Sequence, residues 1–180
     1  MRWKVHSERP LYTDDWLQIS MAHVELPDGR HLGHRLIRTP HAAGAVVQDA
    51  GRVLLLWRHR FITGTWGFEI PMGKIEAGES PEAAAAREVE EETGWRPGPL
   101  RRLVGVETAN GLCDSRHHLF YAAGATYMGP PSDPSEAERV EWVPLTRIRE
   151  MIARGEIVSA PTALGLLYVL AEGCGCSSGA

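Results

Sequence analysis

The stretch GKIEAGESPEAAAAREVEEETGW, Gly73 to Trp95, decides how this chain folds, and it poses a charge problem. Ser80 followed by Pro81 is a helix start. A serine hydroxyl accepts from the open N–H groups of the first turn, and proline at the first helical position has no N–H to leave unpaired. Gly94 is the matching stop, because glycine takes the left-handed conformation that closes a helix without steric cost. At about 100° per residue, Glu88, Glu91 and Glu92 share one arc of the helix, while Glu90 points to the other side. Glu88 and Glu92 are like charges four residues apart, which costs an isolated helix about 0.2–0.5 kcal/mol, and no lysine at that spacing relieves them. A solvated acidic face is the bland reading of such a run. The unrelieved repulsion instead predicts a cation at this arc. Oxygen donors without imidazole or thiolate suit Mg²⁺, with Mn²⁺ as a substitute, far better than zinc.

On either side of the helix the chain reads mostly as strands. WLQISMAHVELPDGRHLGHRLIR alternates apolar and polar residues around Pro27-Asp28-Gly29, the pattern of a hairpin. AAGAVVQDAGRVLLLWRHRF gives two more strands joined at Asp49-Ala50-Gly51. Further strands are expected at LRRLVGVETA, HHLFYAAGATY and RVEWVPL, and further helices from about Leu145 to Ala153 and over PTALGLLYVLAEG. With no internal repeat and no long linker, this is an α/β or α+β layer sandwich in one compact unit.

Composition narrows the function classes. A chain of 180 residues with 43% hydrophobic content buries one good core, and a formal charge of -4 argues against a phosphate-backbone binder. Nucleic acid is therefore not an expected partner. No run approaches the length of a membrane span, and MRWKVHSERP lacks the apolar centre of a signal peptide, so a cytoplasmic protein with no membrane partner is expected. Cys113, and Cys174 with Cys176 in a Gly/Ser-rich tail, have no spacing of a disulfide frame or a closed zinc site. His117 and His118 are strand neighbours and face opposite sides, which argues against a shared metal. Arg60 offers a guanidinium for a terminal phosphate or a dimer contact, but an arginine near a sheet edge is more often structural. Trp3, Trp16 and Trp66 offer stacking surfaces, although tryptophans more often serve cores and interfaces.

Gly73, Glu79, the run Arg87-Glu88-Val89, Glu91-Glu92 and Gly94 together resemble the whole signature of the Nudix hydrolases. Trp95 departs from the smaller aliphatic residue usual there, a change expected to affect packing after the helix. LLLWRHRFITGTWGFEIPMG resembles the lead-in of the ADP-ribose pyrophosphatase branch, and SEAERVEW resembles that branch's acidic loop. The resemblance implies Met72, Glu88, Glu91, Glu92 and Glu138 as metal ligands. It implies a catalytic set of Glu136 as base with Glu92, Glu88 and Arg87, the last paired with Glu79, and it puts Arg60 and Glu69 at the substrate. It further implies a Nudix-type α/β/α sandwich around a mixed β-sheet with an N-terminal antiparallel extension that forms a homodimer. The divisions are then 1–40 for the extension, 41–172 for the hydrolase domain and 173–180 for a flexible tail.

The activity so implied is Mg²⁺-dependent hydrolysis of the pyrophosphate bond of a nucleoside diphosphate sugar, with ADP-ribose the leading substrate. The alternatives are a nucleoside triphosphate pyrophosphohydrolase and a Nudix-fold module that binds a nucleotide without cutting it. The ADP-ribose hydrolases of this branch usually carry a proline about sixteen residues past the glycine that closes the helix. Here that position is Asn110, and Asn110-Gly111 predicts a tight turn with positive φ and a differently shaped pocket wall.

Overall fold

The computed structural model describes residues 2–132 and 134–175, which divide into two compact units. One unit contains residues 2–41 and 107–116. Its core is a three-stranded antiparallel sheet of β1 (Lys4–Thr13), β2 (Gln18–Glu25) and β3 (His31–Arg38). The hairpin alternation places Ser20, Ala22 and Val24 of β2 on the buried face. Asp28 closes the turn by accepting from the backbone and guanidinium of Arg30, at 3.1 and 2.7 Å. β1 is not among the strands expected from sequence. The strand has no apolar alternation, contains Pro10 and is exposed along its whole length, so backbone pairing to β2 is what defines it.

The 107–116 segment joins this unit through a parallel bridge between Ile37 and Cys113 and through Arg38, which donates to Asp114 at 2.8 Å. A linear boundary at residue 40 does not reveal that contribution. The expected positive φ at Asn110-Gly111 is also corrected. Neither residue has one, and the turn is closed by Leu112 and Cys113 N–H groups that both donate to the Ala109 carbonyl at 2.8 Å.

The second unit contains β4 (Ala42–Asp49), β5 (Arg52–Arg60), β6 (Thr65–Glu69), β7 (Met72–Lys74), α1 (Pro81–Thr93), β8 (Trp95–Pro97), β9 (Leu100–Glu107) and β10 (Arg116–Ala123). It ends with β11 (Ala125–Tyr127), β12 (Arg139–Pro144), a 3₁₀ turn at Leu145–Arg147, α2 (Ile148–Ala153) and α3 (Ala160–Gly175). The expected single strand HHLFYAAGATY is two, broken at Gly124 with φ 80°, and its second half pairs with β8. Cys176 lies outside the described residues, as does the side chain of Cys174.

The main sheet runs β12-β5-β4-β10-β9, with β6 on β5 and β7 on β4. It is mixed because β4 and β10 are parallel while β4–β5, β5–β6, β4–β7 and β5–β12 are antiparallel. Both faces are apolar, as burial on both sides requires. Ala43, Ala45, Val47, Leu54, Phe120 and Ala122 pack against Ala84, Ala85 and Val89 of α1. Val46, Val53, Leu55 and Leu119 point the other way, against Ile148 and Met151 of α2 and Leu166 and Val169 of α3. Helices on both faces make the unit an α/β/α sandwich.

Two local features position the site. After two register pairs β5 parts from β4, and β7 takes the vacated edge. Gly44 permits that approach, because a Cβ there would meet the Pro71 carbonyl at 2.6 Å. Helix α1 is capped as expected. The Ser80 hydroxyl accepts from Ala83 N–H at 3.1 Å, and Gly94, at φ 76°, donates to the Glu90 carbonyl. Trp95 then packs edge-on against Trp142, with ring centroids 5.3 Å apart.

The Asp49–Arg52 turn carries positive φ at both Ala50 (44°) and Gly51 (73°), the type I′ geometry in which a Cβ is strained. Ala50→Asn is expected to raise stability by about 0.5–1 kcal/mol, and Gly51→Ala to lower it by about 1–2 kcal/mol. Urea unfolding checks both, and equal stabilities across the three proteins would contradict the turn assignment.

Candidate active site

On β5 the residues Leu54, Leu56, Arg58 and Arg60 lie at alternate positions and so share a face. Leu54 packs against α1, and two positions past the fully buried Leu56 the apolar row becomes charged. The Arg58 Nη2 donates to Glu92 Oε1 at 2.6 Å, with both residues buried, and Glu92 Oε2 accepts from the Met72 N–H at 2.9 Å. One carboxylate thus joins β5, β7 and α1. No lysine on the helix relieves Glu92, and the cation that answers it is Arg58, 34 residues away in sequence.

Arg87 organises the other two glutamates. Its Nη1 donates to Glu88 at 2.7 Å and to Glu91 at 2.8 Å. Nε and Nη2 grip Glu79 at 3.0 and 3.1 Å, and Nη2 also donates to the Lys74 carbonyl. Glu79 in turn accepts from Glu76 N–H, so the loop before α1 is tied to the helix by one guanidinium. Gly73 lies directly against the Glu88 carboxylate, where any side chain would collide with it. Glu90 is paired away from this group, with Arg96 at 2.8 Å.

The charges sit in an adverse place. Glu90, Glu91 and Glu92 occupy the last turn of α1, which has no basic residue, although the helix dipole there disfavours anions. Burial pushes the Glu88 carboxyl above its usual value; Arg87 opposes this, and the charges of Glu91 and Glu136 add to it. Burial likewise drives Glu92 up to about 8, opposed by Arg58 and reinforced by a hydrogen bond with Glu136. Among the described residues, the donor atoms of Glu88, Glu91 and Glu92 do not gather into one compact set, because Arg87 lies between the first two and Arg58 holds the third.

The remaining sequence candidates are placed as follows. Glu136 is exposed, yet its Oε2 comes within 3.8 Å of the Arg58 guanidinium. Glu138 is exposed, and its backbone N–H donates to the Trp57 carbonyl at 2.9 Å. Met72 reaches the site by its backbone, while its side chain packs against the core below α2 and α3. Arg60 and Glu69 are bound to each other through a two-bond fork of 3.0 and 2.5 Å, with Glu69 buried and the Arg60 head half exposed. Glu92 and Glu136 both act on the charge of Arg60, so it shares their neighbourhood. Trp66 is not free to stack a base on both faces, since Trp57 lies parallel to it with centroids 6.0 Å apart.

The donor set fits a hard divalent cation. Glu88 and Glu91 converge on a single cationic nitrogen, every side-chain donor of the group is a carboxylate oxygen, and the carboxylates lie close enough to raise one another's proton affinity.

Comparison with known proteins identifies the family and the fold. Residues 38–162 match the NUDIX domain, and residues 3–35 match the nucleoside diphosphate sugar hydrolase N-terminal domain. The chain is 42% identical, over 96% of its length and 84% of the relative's, to CMP-5'-(N-acetyl-N-hydroxy-3-aminopropyl)phosphonate hydrolase of Streptomyces rubellomurinus (strain ATCC 31215). It is 28% identical to ADP-ribose pyrophosphatase of Bacillus subtilis (strain 168), over 92% of this chain and 91% of that one. A solved structure described as an ADP compounds hydrolase has the same fold, with a TM-score of 0.87 at 18% identity, covering 98% of this chain and 97% of that one.

The raised Glu92 pKa has a signed consequence for stability. A folded state that holds a proton more tightly than the unfolded chain is stabilised fully below the unfolded value, and that contribution is lost as pH rises to the folded value. In chelator, the wild-type protein should therefore lose stability relative to Glu92→Gln between about pH 4.5 and pH 8. Urea midpoints at pH 5 and pH 8.5 measure this, and a stability difference that does not change with pH would rule it out.

Proposed function

The chain belongs to the Nudix family of hydrolases that act on nucleoside diphosphate derivatives, and from that premise we propose Mg²⁺-dependent cleavage of the pyrophosphate bridge of a nucleoside diphosphate sugar, with ADP-ribose as the leading substrate. The observation that supports the proposal is that Glu88 and Glu91 both turn to one cationic nitrogen, that of Arg87, on the helix that also carries the buried Glu92. Glu88, Glu91 and Glu92 hold the metal, with Met72 and Glu138 as further ligands and Mn²⁺ as a substitute for Mg²⁺. Bound there, the metal supplies charge neutralisation for the bridging phosphates.

The protein's own groups carry the rest. Glu136, exposed and facing Glu92, takes the proton of the attacking water. The water oxygen bonds to one phosphorus of the bridge. The bond from that phosphorus to the bridging oxygen breaks, and its electron pair leaves with the departing phosphate. From ADP-ribose the products are AMP and ribose 5-phosphate. Arg87 is a positioning residue that holds Glu88, Glu91 and Glu79 in register. Arg60, oriented by Glu69, presents its half-exposed guanidinium to a phosphate oxygen. Arg58 adds fixed positive charge, and its buried Nε–H has no partner among the described residues, which leaves a donor for an oxygen.

A second substrate reading, a CMP-linked phosphonate, is favoured by the 42% identity to a hydrolase of that specificity. The two readings differ in base and leaving group. A panel of ADP-ribose, other nucleoside diphosphate sugars, a CMP-linked phosphonate and nucleoside triphosphates, with products identified in Mg²⁺, separates them. Glu92→Gln is expected to lower kcat by about 100-fold or more, and Glu90→Gln to matter little. Faster release of pyrophosphate from triphosphates would replace this reading with a triphosphate hydrolase. No turnover of any compound would favour a binding module.

We also propose a homodimer through residues 11–38. Support comes from the exposed Leu11, Tyr12 and Trp16 and from the match of the N-terminal segment to a hydrolase N-terminal domain. Sedimentation at micromolar concentration should give twice the chain mass, and a monomer there would refute the assembly.

A further inference from the structure

The three-stranded sheet carries a cluster that the hydrolytic site does not use. His6, Glu25 and His31 each offer a ligand atom, and the three atoms lie within 4.8 Å of one another. They come one from each strand: His6 from β1, Glu25 from β2 and His31 from β3. Glu25 and His31 are direct cross-strand partners. His6 is the extra residue between the Val5–Val24 and Ser7–His23 pairs, and this bulge sets its ring between Glu25 and His23. His6 Nε2 lies 2.6 Å from Glu25 Oε2. His23 completes the patch. Opposite it stands Gly33, which has no side chain, and its ring lies parallel to His31 with centroids 5.0 Å apart.

From this arrangement we propose a second cation site, specific for a borderline transition metal such as Zn²⁺, that ties the three strands together. Two imidazoles and one carboxylate match the ligand types and number of an open zinc site, in which water takes the fourth position. The same donors discriminate against Mg²⁺, which prefers oxygen alone. The ligand atoms are on rotatable, partly exposed side chains, so small torsional changes bring them to bonds of about 2.0–2.2 Å. Metal replaces the hydrogen bond between His6 and Glu25, and a proton bound there is released. Lys4, 3.9 Å from Glu25, is exposed and moves aside into water. His23 acts by stacking on the His31 ring and holding it, not as a ligand. The strand that gains most is β1, which is exposed throughout and, among the described residues, is hydrogen-bonded as a strand to β2 alone. The site shares no residue with the carboxylate group of the second unit and does not depend on which substrate that group serves.

The test uses the full chain, stripped of metal and held in excess Mg²⁺ so that oxygen-only sites are filled, then titrated with zinc chloride and, separately, cobalt chloride. One zinc per chain is expected. With it should come a rise in Tm, slower amide exchange in β1 and β3, and intense visible cobalt bands of a low-coordinate site. His6→Gln and His31→Gln should each weaken zinc about tenfold or more, with His23→Gln within about threefold of wild type. Glu25→Gln, which keeps the side-chain shape, serves if a histidine variant fails to fold, and it should weaken zinc similarly. The proposal is overturned if no zinc binds in Mg²⁺, if zinc binds without change in β1 exchange, or if folded ligand variants bind zinc as wild type does.

Discussion

The contact between Arg58 and Glu92 is the constraint on which the catalytic unit is arranged. It fixes the distance between β5 and α1, and the Met72 N–H on the same carboxylate fixes β7 between them. A charge pair this deeply buried gives little net stability, since desolvation of both partners offsets their attraction. Its value is in specification. With the pair in place, the register of α1 against the sheet is set, and Glu88 and Glu91 follow at fixed angles on the same helix. An apolar pair of similar volume would pack as well and would leave the glutamate cluster without its orienting partner.

Around that contact, steric requirements are met by missing side chains. Gly44 admits Pro71 and β7, and Gly73 admits the Glu88 carboxylate. Gly94 turns the chain out of α1 at φ 76° where Gly129 passes close by. Arg87 then completes the arrangement from the polar side, with five hydrogen bonds to three glutamates and a backbone carbonyl. The site is thus packed on one side by close backbone approach and neutralised on the other by two guanidiniums.

Much of this was legible in the sequence. The helix and its caps were, because Ser80, Pro81 and Gly94 act locally. The hairpin at Pro27-Asp28-Gly29 was legible for the same reason, and so were β4 and β5. The Glu79–Arg87 pair came from resemblance to a family and is present in the structure. What stayed hidden depends on long-range pairing. β1 carries no apolar period, β6 through β8 are three to five residues long, and Gly124 breaks a run that looked continuous. Arg58 was overlooked in favour of Arg60. The available signal was an arginine set in the row of Leu54 and Leu56, on a strand face that must pack against something, in a chain whose helix had an unanswered glutamate. Arg60 and Glu69 are side-chain partners although the β5–β6 register sets Arg60 opposite Thr65 and Glu69 opposite Leu56, a contact no local pattern reveals.

The N-terminal unit is discontinuous in sequence, and this bears on how the chain folds as it is synthesised. β1, β2 and β3 are hairpin neighbours and pair as soon as they emerge. Arg38 must wait for Asp114, which is 76 residues further along, and Ile37 must wait for Cys113. At about 5–20 residues per second that interval is roughly 4–15 s, during which the edge of β3 turned away from β2 has no partner. The wait ends only after β4 through β9 and α1 have been made, so the first sheet to form is among the last to be completed. Closing so long a loop is an entropic cost that the local hairpins never meet, and it assigns to the 107–116 segment the closing step in the order of assembly.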